Sequence, residues 1–265
     1  MNFDNYQFHY SFSGSADKPL ILFLHGFLGD VNEFNQAISL LSDQFYCLSV
    51  DLPGHGKTRI IGENNCYTMA NTAHALIKLL DSLNIEKCFL VGYSMGGRLA
   101  LYLTLNFPKY FHKVVLESAS PGLKSEPERW ERSQRDFEIT HQLETTIFTS
   151  FLSNWYSQPL FASLKKHPEF ERLVEYRLQN NPIELAKSLR NLSSGCQPSL
   201  WDKLKENKTP LLLLVGEYDK KFININSEMA SLCESAKLNI IKACGHNVHF
   251  ENLNDFVKNV RLFLS

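Results

Sequence analysis

The strongest constraint on this chain is one short stretch, Cys88-Phe89-Leu90-Val91-Gly92-Tyr93-Ser94-Met95-Gly96-Gly97-Arg98. It opens as an apolar run of strand length. It closes into a pattern of Leu99, Ala100, Leu101 and Leu103 that reads as a helix. Between the two, Gly-x-Ser-x-Gly puts a serine at the apex of a strand–turn–helix corner. Gly92 and Gly96 have a steric task there. Without a Cβ they let strand and helix approach closely while Ser94 holds a strained backbone. Such a corner delivers a hydroxyl to the carboxyl end of a sheet, where open α/β sheets bind ligands. The N–H of Met95 opens the helix and points at developing negative charge.

The rest of the chain supplies a sheet for this corner. Phe8, Tyr10 and Phe12 alternate with polar residues in 1–18, the pattern of a short antiparallel edge strand. Leu20–Leu24 reads as a buried strand and runs into His25-Gly26-Phe27-Leu28-Gly29. Asn32–Leu41 reads as a short helix and Phe45–Val50 as the next strand. Tyr67–Leu83 is an amphipathic helix with Ala70, Ala73, Leu76, Ile77, Leu80 and Leu83 on one face. Val114–Leu116 is a further strand. This alternation predicts a mostly parallel sheet. The rhythm breaks at Pro121, and 122–192 carry helical pattern without a strand. Strands return at Leu211–Gly216 and Leu238–Ile241, and a helix over Asn254–Leu264 ends the chain. The expected organisation is a core in two parts, 1–121 and 193–265, with a helical cap, 122–192, over the sheet's carboxyl edge.

Composition narrows the function classes. The chain has 265 residues, 44% apolar and 21% charged, enough to bury a full core. A net charge of −1 gives no basic footprint for nucleic acid. There is no run of eighteen apolar residues, so no membrane insertion is expected. The first residues lack a basic region followed by an apolar one, so no signal peptide and a cytoplasmic location are expected; a monomer is expected as well. Six cysteines without a Cys-x-x-Cys pair read as buried free thiols in a reducing compartment. Gly56-Lys57-Thr58 is not a phosphate-binding loop, because the first glycine of that motif would fall on Asp51. His55 beside it reads as a loop-fixing histidine.

Two later segments complete a chemical set. Gly216-Glu217-Tyr218-Asp219 follows a strand, and Gly245-His246-Asn247 follows the last one. The order Ser94, Asp219, His246 is that of an α/β-hydrolase, and Gly-x-Ser-x-Gly is then its nucleophile elbow. The expected fold is therefore α/β, with a mostly parallel central sheet flanked by helices and a helical cap insertion. Neutral His246 can take the Ser94 proton, while Asp219 fixes the ring's tautomer and stabilises the imidazolium. Glu217 is the second candidate for the acid, and Asp219 fits the loop better. The N–H groups of Phe27 and Met95 would form the oxyanion hole. His249 reads as structural, since no Glu or Cys partner completes a zinc pattern. Neither metal nor cofactor is expected, and Lys220 and Lys221 read as solvated.

Arg98 stands one helical turn after Ser94, on the same face. A cation in a largely buried helix needs an anionic partner, either an internal carboxylate or one on a substrate. The cap segment adds Arg129, Arg132 and Arg135 at helical spacing, then Arg177 and Arg190. Spacing alone makes the first three a solvated face with ion pairs as readily as a binding surface. Arginine suits bidentate carboxylate binding, and Trp155 and Tyr156 offer flat apolar walls. Together these point to a polyanionic, partly cyclic small molecule as the partner.

At these residues the chain resembles the 2-succinyl-6-hydroxy-2,4-cyclohexadiene-1-carboxylate synthases of menaquinone and phylloquinone biosynthesis. The resemblance lies in His25-Gly-Phe-Leu-Gly, Gly92-Tyr-Ser-Met-Gly-Gly-Arg98, Ser120-Pro-Gly-Leu123 and the Glu-Arg-x-x-Arg run into Asp136. It continues through Trp155-Tyr-Ser-Gln-Pro-Leu-Phe-Ala-Ser-Leu164, Gln197-Pro-Ser-Leu-Trp201 and Gly245-His-Asn-Val-His249. Glu117-Ser-Ala-Ser departs from the Gly-rich version of that segment. The resemblance implies Ser94, Asp219 and His246 as the triad. It implies Arg98, Arg132 and Arg177 as the grip on substrate carboxylates, with Tyr93 and Trp155 lining the pocket. It also implies a lyase that expels pyruvate from an enolpyruvyl cyclohexene tricarboxylate. Two other readings stand beside it. One is a serine hydrolase of the same fold. The other is a non-catalytic binding protein, which a lost triad member would favour; none is lost here.

Overall fold

The computed structural model describes residues 2–3 and 5–265. Its main sheet has seven strands: β1 (Tyr10–Ser13), β2 (Leu20–Leu24), β3 (Tyr46–Val50), β4 (Cys88–Tyr93), β5 (Phe111–Glu117), β6 (Leu211–Gly216) and β7 (Ala236–Ile241). Their spatial order is β7-β6-β5-β4-β2-β3-β1. Every neighbouring pair is parallel except β1 on β3, the antiparallel edge that the alternating aromatics predict. A second small sheet pairs Asn2–Phe3, Tyr6–Gln7 and Arg59–Ile60. Nothing in the period of these two-residue strands distinguishes them from loop.

Strand residues alternate between two buried layers, as the two-residue pleat requires. Leu22, Leu24, Leu48, Val50, Leu90 and Leu116 face α2 (Met69–Ser82) and α3 (Met95–Asn106). Ile21, Phe23, Cys47, Val91, Val115 and Leu212 face α1 (Asn35–Leu41) and the final helix, Leu253–Leu264. With both faces covered, the strands read as continuous apolar runs. β5 runs beyond the apolar Val114–Leu116 at both ends, because strand pairing continues through polar residues there.

Between β5 and β6 the described residues form four α-helices, α4 (Glu126–Thr145), α5 (Phe148–Tyr156), α6 (Phe170–Arg177) and α7 (Pro182–Leu192), with short 3-10 turns among them. The segment 118–210 contains no strand among the described residues. Ser125 and Glu128 form a reciprocal capping box that starts α4 sharply. These helices share a small apolar core of their own, including Leu143, Phe151, Leu152, Leu173 and Leu185. Leu28, from the loop after β2, is buried in that same cluster.

The chain passes from β2 outward to β3 and then returns to β4 on the other side of β2. The sheet's order therefore reverses between β2 and β4, which opens a crevice at their carboxyl ends. Leu24 pairs with Gly92 there, so the 25–29 loop and the Ser94 corner emerge side by side. Five cysteines are buried and free, whereas Cys196 is exposed. The expectation of buried thiols fails for Cys196 because it sits in a loop after α7, outside any apolar run.

Candidate active site

Ser94 lies at the β4–α3 corner with φ 49° and ψ −105°, the strained conformation expected of it. The close approach that holds it there depends on glycine. A Cβ on Gly96 would sit 2.2 Å from the Leu24 carbonyl oxygen. Ser94 Oγ is 3.0 Å from His246 Nε2, and His246 Nδ1 is 2.6 Å from Asp219 Oδ2. With Nδ1–H donating to the carboxylate, Nε2 is left to accept the serine hydroxyl proton. Asp219 also accepts the Phe222 N–H through Oδ1, as the cap of helix α8 (Lys220–Leu232), so both its oxygens are fixed. Glu217 points elsewhere and accepts from the Ala243 N–H. His246 is buried against the rings of Tyr93, Phe161 and Phe222.

The 25–29 loop faces this hydroxyl. His25 fixes its root: Nε2 accepts the Leu52 N–H, while Nδ1 lies 2.7 Å from the Gly26 carbonyl. The Gly29 N–H closes a turn onto Gly26 O, with Leu28 in a left-handed conformation at φ 71°. Met95 opens α3, so its N–H is among those a helix leaves without an internal acceptor.

A cavity of about 330 Å³ lies over Ser94. Phe27, Tyr93, Met95, Trp155 and His246 all border it. Trp155 packs on Phe27, with ring centres 5.2 Å apart. Arg98, Arg132, Arg135, Arg177 and Lys221 also line it, and among the described residues no Asp or Glu does. The five cations are not equivalent. Arg98 donates to Gln197 Oε1 at 2.9 Å and to the Leu192 carbonyl at 2.8 Å. It has no carboxylate partner among the described residues. Burial and the neighbouring Arg132 push its pKa down to about 10, with Asp136 partly offsetting them. Arg132 uses Nε on both oxygens of buried Asp136, each at 2.8 Å. Burial and Arg132 also lower Lys221 below the ordinary lysine range.

Arg177 differs. Its Nη2 is 2.7 Å from the buried Glu33 carboxylate, its Nη1 donates to Leu28 O, and its Nε reaches Tyr156 Oη at 3.4 Å. Its charge is already matched inside the protein. Behind it His249 bridges two acids. Nδ1 is 2.8 Å from Glu117 and Nε2 is 3.2 Å from Glu33. Burial alone would lower the His249 pKa, but Glu117 and Glu33 outweigh it and raise the value to about 9. Among the described residues, no group of three or more His, Cys, Asp or Glu could hold a metal ion, and no helix is long and apolar enough to cross a membrane.

Residues 19–253 match the family model described as alpha/beta hydrolase fold. A putative 2-succinyl-6-hydroxy-2,4-cyclohexadiene-1-carboxylate synthase of Bacillus subtilis (strain 168) is 35% identical over 254 residues, covering 95% of this chain and 92% of that one. The chain belongs to this synthase family. The synthase of Escherichia coli O1:K1 / APEC is 36% identical over 239 residues, 90% of this chain and 91% of its own length. The solved structure of MenH from S. aureus superposes with a TM-score of 0.90 at 34% identity, over 99% of this chain and 98% of that one.

For this member of the synthase family, the structure brings together the ten residues expected as triad, oxyanion hole and substrate grip, whereas Arg190 pairs with Glu144 outside the cavity. Nine border the cavity, and Asp219 stands behind His246. Of the three candidate cap arginines, Arg132 and Arg135 reach the cavity, and Arg129 turns to Glu126 and the Leu123 carbonyl. Lys221 is exposed, as its solvated reading expects, and it also borders the cavity. Its place two residues after Asp219, at the start of α8, is the signal that could have found it. Gln197, Asn180 and Glu33 had no such signal, since each acts through a partner distant in sequence.

Proposed function

We propose that this chain removes pyruvate from 2-succinyl-5-enolpyruvyl-6-hydroxy-3-cyclohexene-1-carboxylate to give 2-succinyl-6-hydroxy-2,4-cyclohexadiene-1-carboxylate. The observation that carries the reading is the cavity over Ser94, lined by five cations and, among the described residues, no carboxylate. A tricarboxylate matches it, and a neutral ester does not. Kinship over nearly the full chain favours a lyase over a hydrolase with the same groups.

In this reaction Ser94 takes the proton from the ring carbon beside the succinyl ketone, passing its own to His246. Asp219 stabilises the imidazolium that forms. The ketone oxygen gains charge and is held by the Phe27 and Met95 N–H groups. The electron pair returns through the ring double bond and breaks the bond to the enolpyruvyl oxygen. The departing enolpyruvate takes a proton at carbon and becomes pyruvate. Arg98 and Arg132 hold carboxylates. Arg177, neutralised by Glu33, contributes hydrogen bonds rather than net charge. Trp155 and Tyr93 provide flat walls for the ring. General-base chemistry of this kind supplies about 10²–10⁴-fold.

The test is pyruvate release from the enolpyruvyl cyclohexene by the purified chain. Release well above the uncatalysed background is expected. Background release together with good turnover of simple aryl esters would establish the hydrolase instead.

A further inference from the structure

Among the described residues of the cavity wall, Arg98 is a half-buried cation whose hydrogen bonds all go to neutral acceptors. Its two donors go to the Gln197 side-chain carbonyl and to the Leu192 backbone carbonyl at the end of α7. Gln197 is 1% exposed. Because Arg98 can only donate, the amide must present Oε1 to it. That choice strands Nε2, which is buried and has no hydrogen-bond partner. A glutamate at this position has the same length and shape. It would match the Arg98 charge and remove the stranded donor. The chain therefore carries an amide where a carboxylate would suit folding better. Stability forgone beside an active site is the mark of a functional constraint.

We propose that Gln197 is a positioning residue that fixes the Arg98 guanidinium toward Ser94 while leaving its charge unmatched for a substrate carboxylate. Asp136 shows the contrast. It is a full carboxylate, and it occupies only the Nε edge of Arg132, one helical turn away on α4. Among the described residues, no acid pairs with Arg98 in this way. The low dielectric around Arg98 makes the unmatched charge a strong attractor for an anion, and a carboxylate at position 197 would cancel it. This inference rests on the proposed polycarboxylate substrate, and it deepens that reading by naming the residue that keeps the site charged.

Gln197→Glu and Gln197→Met separate the roles. Gln197→Glu should raise Tm by about 2 °C or more while raising KM for pyruvate release tenfold or more, with kcat within threefold. Such a split marks the loss of an interaction present equally in the ground and transition states. Gln197→Met removes the acceptor without adding charge and should lower both Tm and kcat/KM. Citrate, an inert tricarboxylate, serves as a second probe by calorimetry and should bind at least tenfold more weakly to Gln197→Glu. An unchanged KM and unchanged citrate affinity in Gln197→Glu would overturn the inference. A Tm that falls in Gln197→Glu would overturn it too. If the wild type releases no pyruvate yet binds citrate, the proposed reaction fails, and the citrate comparison still decides for or against Gln197. A wild type that does neither overturns both.

Discussion

The hydrogen-bonded line from Ser94 through His246 to Asp219 makes the sharpest claims at single positions. Asp219→Asn should lower kcat by orders of magnitude, because an amide can hold the imidazole in the wrong tautomer. Glu217→Gln should change kcat by no more than a few-fold, since Glu217 accepts only from the Ala243 N–H. Steady-state pyruvate release measures both, and equal losses would mean the acid is wrongly assigned. Arg98→Ala removes an unmatched cation from a partly enclosed wall. Truncating one partner of a desolvated charge pair costs about 2–5 kcal/mol, so kcat/KM should fall by about thirtyfold or more. A fall in thermal stability with kcat/KM intact would mean Arg98 serves folding alone. These residues were legible in the chain because each sits at a fixed offset from a strand end. Gln197 was visible only as part of a family motif. Its task follows from where Arg98 points, which no spacing records.

At the scale of elements, the 25–29 loop is held from above by the cap. Leu28 has a left-handed backbone and a side chain in the cap's own apolar cluster. Its carbonyl accepts from Asn180 Nδ2 at 2.9 Å and from Arg177 Nη1 at 3.2 Å. Asn180 Oδ1 accepts the Gly56 N–H from a second loop at 3.3 Å. One amide after α6 therefore ties together the cap, the 25–29 loop and the 51–58 loop. Asn180→Ala should loosen the Phe27 N–H and lower kcat by about tenfold, of the order of losing part of one oxyanion donor, with KM changed less than threefold. A KM effect without a kcat effect would show that the loop shapes binding rather than chemistry. The strands and helices of the core were readable because apolar runs and helical stripes differ in period. The cap was readable as helical, but its contacts with the 25–29 loop were not. They join residues about 150 positions apart through backbone carbonyls, and a backbone carbonyl leaves no trace in a sequence.

Across the whole molecule, one buried charged row joins cap to core beneath the cavity: Arg177 on α6, Glu33 before α1, His249 after β7 and Glu117 at the end of β5. Tyr93 lies against the His249 ring, at 5.0 Å between centres. The row makes folding depend on pH at two ends. Burial would raise the Glu33 carboxyl, but Arg177 and His249 outweigh it and hold the group well below the carboxylate range. Its contribution is therefore present above about pH 4.5 and is lost as the medium acidifies. His249 has the opposite sign. Its folded-state pKa of about 9 lies above the unfolded value of about 6.5. Its contribution is complete below about pH 6.5 and disappears as pH rises through 9. The difference amounts to about 3 kcal/mol, or roughly 5–10 °C in Tm for a chain of this length. Thermal unfolding should thus be most resistant between about pH 5 and 6.5 and decline steadily toward pH 9.5. Lysines, tyrosines and thiols also titrate near the upper end, so the decisive comparison is the slope in His249→Gln. That variant should be less stable at pH 6, because it leaves Glu117 buried without its cation and Glu33 with Arg177 alone. Its stability should change far less than the wild type's between pH 6.5 and 9.5. Parallel slopes in the two proteins would place the pH dependence elsewhere and leave His249 a neutral spacer between the two acids.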